Sequence, residues 1–276
     1  MSSNYTPYKW VVAPQDRPAA RALADALQIP PIVSHLLTLR GVRSSEEGER
    51  YLHPRLRDLS DPFALTDMDK AVARIALARE RGEHILVFGD YDVDGIAATA
   101  LMRNGLLRYG LTRVSHDMPL RLTEGYGLSP DRVETAKGED VSLLITVDNG
   151  ISAFAAAERA RELGIDLIVT DHHTLEKKLP EACAVVNPKR EDKSHPCYHL
   201  CGAGVAFKLS CALNGAPNDL DIAALGTVAD IVPLVAENRV IVSLGLRHMI
   251  QHSRIGLAKL AEAAGSTIAE VTAEKI

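Results

Sequence analysis

His84-Ile-Leu-Val-Phe88-Gly-Asp90-Tyr-Asp92-Val-Asp94-Gly95 is the stretch from which the rest of the chain is read. A short apolar run stops abruptly at three carboxylates on alternate positions, and a helical pattern follows over 96–109. The same grammar recurs. Val141–Val147 is apolar and runs into Asp148-Asn-Gly150 ahead of a helix over 152–163, and 165–170 runs into Asp171-His-His173. Two further apolar runs fall at 182–186 and 113–118. Short apolar strands separated by helices of ten or more residues require crossover connections, hence a parallel sheet. In an open parallel sheet the carboxyl ends of the strands share one edge, where ligands bind. Asp90, Asp148 and Asp171, each at a strand end, are therefore expected to converge in one crevice.

Outward from this core the chain reads as helix. Before it lie helices over 16–27, 32–39 (closed by Gly41), 45–52 and 67–81, the last stopped by Gly82. The run beginning Ser44-Ser-Glu-Glu47 offers a cap and first-turn acids. After Phe207 the pattern is wholly helical, over 203–213, 220–229, 238–251 and 255–264. The expected fold class is α/β, a mostly parallel sheet with helices on both faces followed by an all-helical C-terminal segment. The expected division is a helical lead-in over 1–60, the α/β domain over 61–235 and a helical segment over 236–276. Met1 to Lys9 is polar and expected to be loosely ordered.

Of 276 residues, 46% are hydrophobic but only 4% aromatic, so the core must rest on Ala, Leu, Val and Ile. That composition suits helices on a parallel sheet. The net charge of -5 argues against a general nucleic-acid coat protein, which carries a basic face. It leaves room for a nucleic-acid enzyme, because a carboxylate metal site adds negative charge that cations neutralise. Four cysteines, no signal-like start and no long apolar run predict a soluble cytoplasmic protein with reduced thiols and no membrane association.

Gathering several carboxylates in one crevice is costly unless cations neutralise them. The economical reading is a polynuclear metal site. Oxygen ligands with one or two imidazoles suit Mn²⁺ or Mg²⁺ better than structural Zn²⁺ or copper. Asp90-Tyr-Asp-Val-Asp-Gly95 also matches the opening of an EF-hand loop. Position twelve of that loop would be Leu101, where a bidentate Glu is required, and a strand precedes the motif where a helix is needed. The EF-hand reading fails. A lone Asp-rich turn would be a solvated loop or a helix cap, but three strand-terminal acidic motifs together outweigh that reading.

Gly89-Asp-Tyr-Asp-Val-Asp-Gly95, Val147-Asp-Asn-Gly150, Asp171-His-His173 and Gly226-Thr-Val-Ala-Asp-Ile-Val-Pro-Leu234 resemble, in order, the successive motifs of the DHH phosphoesterase family. Leu39-Arg-Gly-Val42, Glu124-Gly-Tyr-Gly-Leu128 and Cys201-Gly-Ala-Gly-Val-Ala-Phe-Lys-Leu209 support the match, which covers about 36–276. Within that family the similarity is greatest to the bacterial single-strand-specific 5′→3′ DNA exonucleases of repair and recombination. The resemblance implies a DHH-type fold and a phosphodiesterase using two divalent cations, Mn²⁺ preferred and Mg²⁺ possible. It assigns Asp90 and Asp92 to one metal, Asp94, His172 and Asp230 to the other, and Asp148 as the bridge. His173 would face the substrate phosphate. Asp148 and the metal pair, set about 3.5–4 Å apart, would hold the attacking hydroxide.

Other residues keep two readings. Asp171 either orients His172 by accepting its free N–H or is a strand-end turn acid. Asn149 either contacts the site or accommodates the turn before Gly150. Arg121 either binds phosphate or forms a surface ion pair. Gly202 and Gly204 either bring backbone N–H groups to an anion or allow close helix packing.

His195-Pro-Cys197-Tyr-His199-Leu-Cys201 carries four soft ligands, but zinc clusters use a tight pair with a distant pair, so a structural loop with reduced cysteines is expected. Cys183 and Cys211 read as small core residues.

Members of the family continue into a second domain with a Gly-Gly-Gly-His-type motif, and nothing here matches it. The resemblance therefore implies a fragment, or a stand-alone catalytic domain, that binds single-stranded DNA weakly. A single-strand-binding protein or a helicase is the implied protein partner. Two alternatives stand beside the exonuclease: a hydrolase of short oligonucleotides or other small phosphates, and a non-catalytic replication-scaffold relative. The competent Asp or His at every ligand position disfavours the scaffold.

Overall fold

Residues 11–14, 16–119, 125 and 127–276 are described by the structure, a computed structural model. Arg121, Glu124 and Met1 to Lys9 lie outside the described residues. The chain divides into two compact units, Met1–Pro54 and Arg55–Ile276.

The first unit is three helices, α1 (Arg17–Leu27), α2 (Pro31–Leu39) and α3 (Ser45–Leu52). Asp16 caps α1 through the N–H of Ala19, and Ser44 with Glu47 forms a capping box on α3. Leu23, Leu37 and Val42 make its small core.

In the second unit the strands are β1 (His84–Phe88), β2 (Val114–Asp117), β3 (Val141–Val147), β4 (Asp166–Thr170) and β5 (Ala184–Val186). They form one sheet in the order β2-β1-β3-β4-β5, and every pairing is parallel. Alternate residues feed two cores, as the two-residue period of a strand requires. Ile85, Val87, Leu143, Ile145, Ile168 and Val186 belong to one, shared with α4 (Met68–Arg81), α5 (Val93–Arg108) and α8 (Gly202–Asn214). Leu86, Phe88, Leu144, Leu167, Val169 and Val185 belong to the other, shared with α6 (Pro130–Gly138) and α7 (Phe154–Leu163). Helices thus cover both faces. The first layer continues into α9 (Leu220–Ala229) and α10 (Ala236–Gln251), and α11 (Ile255–Ala263) follows. Each Leu or Ile fully buried there contributes about 1.5–3 kcal/mol.

Helix α6 has no counterpart among the expected elements. Pro130 at its first position and Ser129, whose side chain accepts from the Arg132 N–H, mark its start, but its sequence is mostly polar and only Val133 and Ala136 are buried. Helix α5 begins three residues earlier than the pattern suggested, because Asp92 caps it by accepting from the Gly95 N–H.

A buried ion pair links α8 to α10. Lys208 Nζ lies 3.2 Å from Glu237 Oε2 and donates to the Ser60 carbonyl at 2.6 Å. Glu237 Oε1 accepts from the Ser60 N–H at 2.5 Å, so the pair also pins the chain ahead of α4.

Candidate metal centre

The strand order reverses between β1 and β3, and the crevice at that switch point is where a doubly wound sheet binds ligands. Asp90 follows β1, Asp148 follows β3 and Asp171 follows β4, so three neighbouring strands each deliver a carboxylate to one edge. All three are buried.

The early cap of α5 changes what the acidic stretch is. Asp92 Oδ1 accepts from the Gly95 N–H at 2.9 Å, and Asp94 sits in the first helical turn. Gly95 is required because a Cβ there would lie 2.6 Å from the Asp90 backbone oxygen. Asp94 in turn accepts from the N–H of Gly202 at 2.6 Å and of Ala203 at 2.9 Å. The positive end of α8 thereby holds this carboxylate.

Asp148 adopts φ +62°, a left-handed conformation that Asp tolerates better than most residues. Its N–H donates to the Thr170 carbonyl at 3.0 Å. The next side chain, Asn149, is buried and ties the strand ends together, its Nδ2 donating to Val147 O at 2.9 Å and Phe88 O at 3.2 Å. The amide nitrogen of Asn149 thus serves the turn, while its Oδ1 is buried with no hydrogen-bond partner.

His172 Nε2 faces Asp148 Oδ1 at 3.1 Å, Asp230 Oδ2 at 3.7 Å and Asp94 Oδ2 at 3.8 Å. Asp230 comes from the C-terminal end of α9. The ligating atoms of Asp94, His172 and Asp230 all lie within 4.8 Å of one another, and so do those of Asp90, Asp92 and Asp148. Asp148, His172 and His173 make a third such group.

The suggestion that Asp171 orients His172 through its ring is corrected by the geometry. Asp171 Oδ1 contacts His173 Nδ1 at 2.7 Å and accepts from the backbone N–H groups of His172 and His173. Its Oδ2 accepts from the Ile151 N–H. The aspartate binds the loop and the second histidine because the ring of His172 is directed to Asp94, Asp148 and Asp230 instead.

The donor set fits divalent cations. Asp148 Oδ1 and Asp230 Oδ2 are buried oxygens that make no hydrogen bond, although His172 Nε2 stands 3.1 and 3.7 Å from them, an arrangement that is costly unless a cation or proton meets them. Burial, followed by the charges of Asp94 and Asp92, pushes the Asp148 carboxyl up to about 10. Burial likewise raises Asp90 and Asp230. His172 is lowered by burial and so is held as the neutral ligand form. His173 moves the other way, up to about 9, chiefly through its bond to Asp171. Burial acts to raise Asp171, but the His173 interactions and the backbone donors outweigh it and keep this carboxyl ionised.

Arg121 lies outside the described residues. Gly202 and Gly204 offer no amide to an external anion: Gly202 N–H is engaged by Asp94 and Gly204 N–H by Cys201 Sγ at 3.4 Å. A Cβ on Gly202 would lie 2.4 Å from Asp148 Oδ1, so close packing explains this glycine. Asn187 did not figure in the sequence reading, and Lys189 entered it only as the start of the basic stretch 189–193. Asn187 Nδ2 donates to His173 O at 3.1 Å. Lys189 donates to Tyr198 O at 2.8 Å, and while burial lowers its pKa the charge of Asp230 opposes that shift. The sequence signal for Asn187 is its position just after β5. In the Cys/His loop, Cys197 Sγ lies 3.4 Å from Ser60 Oγ and Cys201 Sγ 3.6 Å from Thr227 Oγ1, so both sulfurs face neighbouring hydroxyls.

A parallel sheet with a carboxylate–histidine cluster at its switch point defines a metal-site α/β protein. The model of the DHH family, N-terminal domain, matches residues 84–229, and the chain belongs to the DHH family. It is 40% identical over 270 residues to the single-stranded-DNA-specific exonuclease RecJ of Bacillus subtilis, covering 97% of this chain and 34% of that protein. Against RecJ of Escherichia coli it is 38% identical over 268 residues, covering 90% of this chain and 46% of that one. The crystal structure of Thermus thermophilus RecJ in complex with Mn²⁺ superposes with a TM-score of 0.76 at 34% identity, over 92% of this chain and 37% of that one. The chain thus spans between a third and a half of these relatives' length. Among the described residues no helix is long and apolar enough to cross a membrane.

Proposed function

We propose that this chain carries the two-metal catalytic centre of a 5′→3′ single-stranded-DNA exonuclease, with 61–235 as the catalytic domain. The observation that carries the reading is the pair of buried carboxylate oxygens on Asp148 and Asp230 that make no hydrogen bond, set among Asp94, His172, Asp90 and Asp92. Similarity to RecJ over nearly the whole chain supports the substrate class. In this reading Asp90, Asp92 and Asp148 hold one divalent cation, Mn²⁺ or Mg²⁺, and Asp94, His172 and Asp230 hold the other, with Asp148 between them.

Bound cations would supply an acidified water and neutralise the phosphate oxygens. The protein contributes orientation and charge. Gly202 and Ala203 fix Asp94 so that it cannot rotate away, and Asn149 locks the turn that presents Asp148. Asp171 keeps His173 protonated at neutral pH, so its ring donates to a non-bridging phosphate oxygen and meets the charge that develops there. Single-stranded DNA is the proposed macromolecular partner, with a single-strand-binding protein or helicase beside it in the cytoplasm.

The test is digestion of end-labelled single-stranded DNA with and without Mn²⁺, using the wild type and Asp148→Asn. Release of nucleotides from the 5′ end by the wild type alone supports the proposal. Cleavage restricted to dinucleotides or small phosphate esters would assign the same site to a small-substrate hydrolase. Equal turnover by Asp148→Asn would overturn the mechanism.

A further inference from the structure

Ile231 is the residue immediately after Asp230, and it is anomalous twice over. Its φ is +56°, a region that a β-branched residue rarely enters, and its side chain is 90% exposed. Either property alone is unfavourable, and Gly or Asn would relieve both at once. Where strain of this kind persists it clusters at functional sites. The local geometry explains the conformation but not the residue. Asp230 points into the metal cluster and Val232 packs on the core, so the intervening residue is thrown outward.

Two more apolar side chains stand out from the segment carrying Asp92 and Asp94. Val93 is 46% exposed and Ile96 is 47% exposed, and their three-residue spacing puts them on one face of α5. Helix α5 packs against α9, whose end carries Asp230 and Ile231. Exposed aliphatic groups therefore flank three of the proposed ligands. A phosphodiester held by those ligands brings its own nucleoside within reach of the side chains beside them.

We propose that Ile231 is a substrate-positioning residue that lies against the nucleobase or deoxyribose next to the scissile phosphate, with Val93 and Ile96 extending the same apolar rim. The inference rests on the nucleic-acid reading of the site and specifies how that substrate is gripped. Aliphatic side chains do contact or wedge between bases in other nucleic-acid complexes. An apolar contact requires no base identity, so it would grip any nucleotide.

The experiment compares wild type, Ile231→Asn and Ile231→Leu on a short fluorescent oligothymidylate. Initial rates are measured in Mn²⁺, and binding is followed by anisotropy with Ca²⁺ in its place. Ile231→Asn should raise both KM and Kd about fivefold, the scale of one lost apolar contact. It should move kcat less, and its melting temperature should hold or rise as the strain is released. Ile231→Leu, which keeps the apolar group, should bind more tightly than Ile231→Asn. Unchanged KM and Kd in Ile231→Asn, with wild type binding and cutting normally, would overturn this inference alone. A shift in oligomeric state without a change in Kd would also overturn it, assigning Ile231 to a contact between copies. Failure of the wild type to bind or cut the oligonucleotide would remove the nucleic-acid reading and this inference with it.

Discussion

Asp171 and His173 form a pair in which Oδ1 of the aspartate lies 2.7 Å from Nδ1 of the histidine, and the pair keeps a proton on the ring to about pH 9. If the charged ring stabilises the transition state, the kcat/KM profile should have an alkaline arm set by the loss of this proton. Asp171→Asn removes the partner that raises the pKa. The arm should then move down by about one unit or more, as expected when an adjacent opposite charge is lost. Rates between pH 6 and 10 at saturating Mn²⁺ would check this, and an arm that stays in place would show that His173 acts uncharged.

Metal removal should make stability depend on pH in a definite direction. The folded chain holds protons on Asp148 up to about pH 10, whereas an unfolded Asp loses its proton near 4. Asp90, Asp230 and His173 are shifted the same way. Above pH 7 the lowered His172 is neutral in both states and contributes nothing. The folded state therefore binds more protons than the unfolded one, and stability must fall as pH rises. Thermal melts in EDTA should drop between pH 7 and 9. Added Mn²⁺ should restore more stability at the upper end of that range, with proton release detectable in unbuffered titrations.

Gly202→Ala tests the close approach of α8 to the site. The new methyl would lie 2.4 Å from Asp148 Oδ1, too near for either group to remain where it is. Mn²⁺ affinity should fall at least about tenfold, the scale seen when groups around a ligand are disturbed. Circular dichroism should show that the helices are retained while calorimetric titration reports the loss.

Lys208→Met should lower stability by about 3–5 kcal/mol, because it leaves Glu237 as an uncompensated buried charge. The double variant Lys208→Met with Glu237→Leu should recover most of that loss. Urea unfolding of the four proteins of the cycle measures the coupling directly.

Much of this architecture was legible because chemistry and periodicity agreed. The apolar runs ending in Asp90, Asp148 and Asp171 specify neighbouring parallel strands with acids at one edge, and that edge is where they meet. Position along the chain said less about helix starts. The sequence around Asp92 reads as an acidic loop until its carboxylate is seen capping α5, since a capping aspartate and a loop aspartate look alike. Helix α6 went unseen because most of its residues face water and its polar pattern has no strong period. The two readings of Asp171 stayed open for a different reason. His172 and His173 are adjacent and identical, and only the three-dimensional turn decides which ring meets Asp171. Nor could Ile231 be singled out, because exposure and backbone sign leave no trace in a residue's identity.

The bonds from Gly202 and Ala203 to Asp94 span 108 and 109 residues of chain. Closing so long a loop comes late in folding, after local helices and strand pairs have formed. During synthesis Asp90, Asp92 and Asp94 emerge well before the amides that anchor the last of them, and before the histidine and the aspartate of α9. A cation met in that interval finds only a flexible, three-carboxylate chelate. Asp94 acquires its fixed orientation only when α8 docks, so the cluster it makes with His172 and Asp230 belongs to the finished fold and not to the nascent chain.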